Sequence, residues 1–192
     1  WGSGPAPLGF GNSGMATTIG YGGSSSSKYV TTYFLQRFTA PAGLASGEVT
    51  DMQVRVRRDD GCVVYLNGVE VGRSNMPSSS PVGWSTLASA SVAGTAESSW
   101  FDVSLGVEVD ASMFVEGVDG NVLAVEVHQS SRSSSDLTLD VSAVLVMCVC
   151  VVCLCVCVLS LISSVGQTQV ERWERVDRTG LCDDWQRSED TV

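Results

Sequence analysis

Residues 141–170 contain no charged side chain, and their middle is almost entirely valine and cysteine (VLVMCVCVVCLCVCVLSLISS, residues 144–164). So long an apolar stretch cannot simply lie on a domain surface in water, because a patch of that size drives aggregation or membrane insertion. It divides the chain into a polar, Gly/Ser-rich part (residues 1–143), the apolar run (144–166) and a short charged tail (167–192). Two readings of the run stand side by side. About 20 apolar residues cross a bilayer as a helix, so residues 144–166 fit a transmembrane span. Repeating TG in DNA also encodes only Cys and Val, and Met147 and Leu154 are each a single base change from a Val codon. The run is then non-native read-through of low-complexity DNA, followed by an unrelated tail. If it spans a membrane, Arg172, Arg175 and Arg178 beyond it outweigh Arg132 before it, which puts the tail in the cytoplasm and the rest of the chain outside. The tail is expected to be disordered, with a short helix as the other option.

The first part reads as β throughout. In residues 28–40 (KYVTTYFLQRFTA) Tyr29, Thr31, Tyr33 and Leu35 share one face, and Val30, Thr32 and Phe34 share the other. In residues 48–61 Met52, Val54 and Val56 point in while Gln53, Arg55 and Arg57 point out, and Asp59-Asp60-Gly61 ends the strand as a turn. Asn67-Gly68 between two β runs predicts a hairpin with a type I′ turn, whose central residues both need positive φ. Residues 84–93, 99–105, 122–127 and 136–141 are further strand candidates. Residues 1–27 read as ordered loops with one strand near 17–21, and no helical period occurs before Val141. Short strands at regular spacing with Gly/Ser turns predict an all-β, antiparallel sandwich.

Composition removes several functions. The net charge of −10 opposes nucleic acid, and no basic stripe offsets it. Five of the seven cysteines lie in the apolar run, leaving Cys62 alone in the β part, so no disulfide framework holds that part together. Cys150 and Cys153 have metal-pair spacing but no second pair or nearby His. The chain holds a single His and no Gly-x-Ser-x-Gly, P-loop or His-Glu-x-x-His, so no catalytic set is visible. It starts at Trp1 without a signal peptide, which reads as a fragment and leaves the compartment open.

Six residues are candidates for ligand contact. Glu126 and His128 share a strand face and could hold a sugar hydroxyl or a metal; the alternative is a polar pair that fixes packing. Asp59 and Asp60 could supply part of a structural calcium shell, which takes roughly 6–8 oxygens; otherwise they form a turn and pair with Arg57 or Arg58. Asn75 could donate to a ligand or stabilise the turn before Pro77. Trp84 offers a flat ring for sugar stacking, whereas Trp100, beside Phe101, suits the core.

The segments WGSGPAPLGFG, TTIGYG, KYVTTYFLQRF, RRDDGCVVYLNGVEVGRSNMP and GNVLAVEVHQSSRSSSDLTLDV occur in that order. Together they resemble a galactose-binding-like (jelly-roll) β-sandwich module of the kind appended to secreted metallophosphoesterases of the purple acid phosphatase type and to other large surface proteins. The resemblance covers residues 1–141 and brings no catalytic set with it. Such modules begin with one more strand than is present before Trp1, so one sheet edge is expected to lack a partner. Cys62 stands where they carry a small apolar residue. The resemblance implies an extracellular or cell-surface setting and a non-catalytic module that binds carbohydrate or glycoconjugate. Two alternatives are the accessory domain of a secreted hydrolase and a single-pass membrane adhesion protein.

Overall fold

The computed structural model describes residues 2–40, 44, 49–78, 81–115, 120–147, 157–162 and 167–171. Its strands are β1 (Gly2–Pro5), β2 (Leu8–Phe10), β3 (Thr17–Thr18), β4 (Thr31–Phe38), β5 (Val49–Asp59), β6 (Gly61–Leu66), β7 (Val69–Ser74), β8 (Phe101–Asp102), β9 (Ser104–Leu105), β10 (Asn121–His128), β11 (Leu137–Met147), β12 (Cys157–Ile162) and β13 (Gln167–Glu171). They form two sheets. The first runs β1-β13-β4-β10-β6-β7-β9; the second runs β3-β2-β11-β5-β8, with β12 also paired to β11. All pairings are antiparallel except β2 with β3. The chain is an all-β antiparallel sandwich, as the alternation requires.

The core lies between the sheets because each long strand turns alternate side chains inward. Phe34, Phe38, Cys62, Val64, Leu66, Leu123, Val125 and Val127 come from the first sheet, and Leu8, Met52, Val54, Val56, Leu137, Leu139 and Leu145 from the second. Cys62 takes the place of a small apolar residue, fully buried, and burial pushes its thiol up to about 12. The β6–β7 hairpin has the expected turn, with φ of 50° at Asn67 and 84° at Gly68. Asn67 also binds across the sheet: its amide donates to Met113 O at 2.7 Å and to Asn121 Oδ1 at 2.9 Å, and its Oδ1 accepts from Val122 N at 2.7 Å.

The structure departs from expectation in several places. Residues 84–93 form no strand; they cross the outer face of the first sheet as a loop, because Trp84 and Leu87 are exposed while Ala88 packs on Val63. Residues 99–105 split into β8 and β9, which join different sheets. Part of the N-terminal segment expected as loop is strand, since β1 and β2 enter opposite sheets. Finally, β11 runs past the boundary drawn at Ala143. Its partners on β5 continue through Ala143↔Val54, Leu145↔Met52 and Met147↔Val49, and both Ala143 and Leu145 are fully buried. Residues 144–147 thus extend a strand already formed rather than opening a helix. Residues 157–162 are likewise extended, and residues 167–171, expected to belong to a disordered tail, pair with β1 and β4. The remaining residues of the run and the tail lie outside the described residues. Among the described residues no helix is long and apolar enough to cross a membrane.

Candidate functional site

The outer face of the first sheet collects polar and aromatic side chains. Antiparallel register sets Tyr33 opposite Glu126, and Glu126 opposite Val63; one pair along, Leu35, Ala124 and Tyr65 line up across the same strands. On the neighbouring strand, Glu70 stands opposite Tyr65 and Arg73 opposite Val63. Residues i and i+2 share a face, so this register brings Tyr33, Tyr65, Glu70, Arg73 and Glu126 together. Arg73 grips Glu70 with two bonds, Nε to Oε1 at 2.6 Å and Nη2 to Oε2 at 2.8 Å, and donates from Nη1 to Pro77 O at 2.6 Å. Burial, and then the Glu126 carboxylate, hold the phenols of Tyr33 and Tyr65 above the ordinary tyrosine range.

Residues 75–78 and 81–92 belong to a loop that closes one side of this face. Its apolar anchor is Met76 and Ala88 on Val63. It can lie this close because β6 begins with glycine: a Cβ on Gly61 would stand 2.7 Å from Asn75 O and 2.9 Å from the Ala88 methyl. Its polar anchors include residues singled out in the sequence. Asn75 joins the two ends of the loop, donating from Nδ2 to Ala90 O at 2.7 Å and to Asp60 O at 3.1 Å, while its carbonyl accepts from Ser89 N at 2.9 Å. Thr31 Oγ1 donates to Trp84 O at 2.7 Å. His128, fully buried, places Nδ1 2.7 Å from Thr86 O and Nε2 2.8 Å from Glu126 Oε2. The Trp84 side chain itself is free of the core, with the residue 54% exposed.

Thr31, His128 and Glu126 stand in the order of a nucleophile, a base and an orienting carboxylate, with Thr31 Oγ1 2.9 Å from His128 Nδ1. The protons are committed elsewhere. Thr86 O can only accept, so Nδ1 carries hydrogen and cannot take the Thr31 proton. Thr31 in turn donates to Trp84 O. This geometry anchors a loop and fixes Glu126; it does not activate a hydroxyl.

Asp59 and Asp60 are both buried and lie apart from this face in role. Asp60 accepts Val92 N on Oδ1 at 2.6 Å and Ser130 N on Oδ2 at 2.7 Å, so it ties two loops together. Neither aspartate pairs with an arginine through its carboxylate. Arg58 instead bonds the Asp60 carbonyl and Ser74 Oγ and stacks 4.2 Å over Phe101, while Arg57 faces Asp140 at 3.7 Å. Both Asp59 carboxylate oxygens are buried without a partner. Burial, then Asp136 and Asp60, push this carboxyl up to about 8. Because backbone N–H groups occupy both Asp60 oxygens, the pair does not open the oxygen shell that calcium needs. Among the described residues no three His, Cys, Asp or Glu gather in a geometry that could hold a metal ion.

Of the six candidates, then, Glu126 and Trp84 border the accessible face. His128 and Asn75 hold the loop beside it, and Asp59 and Asp60 are internal. Trp100, expected in the core, is half-buried beneath the Arg55 guanidinium at 5.8 Å. Tyr33, Tyr65, Glu70 and Arg73 were not singled out. Outward alternation marked their positions, but only the register shows that they meet. On the second sheet a cleft of about 560 Å³ opens beside Asp51, Asp102 and Glu108, with no aromatic side chain among the described residues of its lining.

No protein family matches the chain, and no curated protein matches it. Among solved structures it is similar to Streptomyces avermitilis alpha-L-rhamnosidase complexed with L-rhamnose, at 16% sequence identity and a TM-score of 0.40. The match covers 80% of this chain and about 12% of the length of that enzyme. A likeness of that size fixes neither kinship nor ligand.

Proposed function

We propose that this chain is a non-catalytic β-sandwich module that binds carbohydrate on behalf of a secreted or cell-surface protein. One observation carries the reading: aromatic surface and hydrogen-bonding groups share the outer face of the first sheet, with Tyr33 and Tyr65 beside Glu126 and the exposed Trp84 on the bordering loop. Sugars present apolar ring faces edged with hydroxyls, and aromatic rings beside fixed polar groups match both features. The non-catalytic reading is supported by the committed protons of Thr31 and His128. A glycan array probed with the full-length chain tests the function. Retention on a defined set of glycans, reduced in Trp84→Ala or Tyr33→Ala, is the expected result. Absence of binding to every glycan, with or without calcium, would overturn it.

A further inference from the structure

We infer that the ligand is a neutral glycan whose adjacent hydroxyls donate to Glu126 between Tyr33 and Tyr65; the inference rests on the carbohydrate reading above. Glu126 is held at one end by His128, whose ring is itself fixed by the Thr86 carbonyl at 2.7 Å. Tyr65 lies on the adjoining strand, two residues from Val63, which stands opposite Glu126. A carboxylate fixed in this way is a preorganised acceptor, and hydrogen bonds to a charged acceptor are stronger than neutral ones. Sugar hydroxyls are the donors that suit it.

The charges on the face select against acidic sugars. Glu126 and Glu70 contribute two carboxylates, and each already has a nitrogen partner, His128 and Arg73 respectively, so the face offers no unpaired charge to an acidic or an amino sugar. Three of the five Arg73 N–H groups are already engaged, with Glu70 and with Pro77 O, and its charge is matched by Glu70, which makes it a weak receptor for a ligand carboxylate or sulfate. Arg37 is exposed on the same strand face, but four residues from Tyr33, about 13 Å along the strand. The whole chain, at −10, adds long-range repulsion of anions. An apolar peptide is a poorer match, because Glu126, Glu70 and Arg73 would lose water without gaining partners.

The experiment uses the full-length chain and three groups of oligosaccharide: neutral hexose chains, uronic or sialic acid chains, and amino-sugar chains with free amines. Binding is measured by calorimetry for the wild type, Glu126→Gln and Tyr33→Ala, with thermal melts to confirm folding. Neutral chains should bind best, and each variant should weaken that binding about ten-fold or more. If Glu126→Gln disturbs the His128 anchor and fails to fold, Tyr33→Ala reads the same face without touching that anchor. A preference for acidic or amino sugars would overturn the inference and leave carbohydrate binding standing. So would neutral binding indifferent to both variants. Binding to none of the three groups would overturn the carbohydrate reading itself.

Discussion

Replacing Asp59 with Asn should flatten the pH dependence of stability. Asp59 is 1% exposed and neither carboxylate oxygen has a hydrogen-bond partner. Burial first, then the nearby Asp136 and Asp60 charges, push its carboxyl up to about 8 from an ordinary value of 3.8. In the unfolded chain the group ionises near pH 4, whereas in the folded chain it keeps its proton to about pH 8. A raised folded value means that its contribution is fully present below pH 4 and is lost as pH rises toward 8. One proton bound by the native state alone gives a slope of up to about 1.4 kcal/mol per pH unit over that interval. Between pH 4.5 and 7.5 the wild type should therefore lose up to about 4 kcal/mol relative to Asp59→Asn, which has nothing to ionise. Chemical denaturation of both proteins at three pH values gives this difference, and taking it cancels the other carboxylates. A constant difference across the interval would show that Asp59 is ionised and partnered in the folded state. The assigned cause would then be wrong.

Two other perturbations address the fold. A chain ending at Ala143 removes Leu145, which is fully buried against the core and paired with Met52. Deleting a buried leucine side chain costs about 2–5 kcal/mol. A chain ending at Met147 should therefore melt well above one ending at Ala143, and equal melts would show that the core ends by Ala143. Gly68→Val should cost about 1 kcal/mol or more through backbone strain alone, since a Cβ there meets nothing within 4 Å and φ is 84°; an unchanged melting temperature would contradict the turn.

Much of the architecture was legible because period-two alternation and turn chemistry are local. Met52 and Val54 face the core, Arg55 faces out, and Asn67-Gly68 turns the hairpin, all as their neighbours in sequence imply. The end of β11 was obscured by composition: valine and cysteine look the same in a strand, in a membrane and in translated repeat DNA, so only pairing with β5 shows that Leu145 belongs to the core. The site was half legible. Glu126 and His128 share a face by alternation, yet the burial of His128 depends on a loop more than 35 residues away in sequence. Tyr33, Tyr65 and Arg73 lie on three strands, and their meeting is a matter of register across the sheet. Asp59 reads locally as a turn residue, and its isolation from every donor is a long-range property of the fold.

The most direct test of carbohydrate recognition on this face is residue-resolved NMR of isotope-labelled full-length protein titrated with a neutral oligosaccharide. Saturable shifts should cluster on the backbone amides of Tyr33, Tyr65, Arg73 and Glu126 and on the Trp84 indole, while those of the Asp51–Asp102 cleft stay fixed. Shifts confined to that cleft or to the Asn67 hairpin, or no shifts at saturating sugar, would contradict the account.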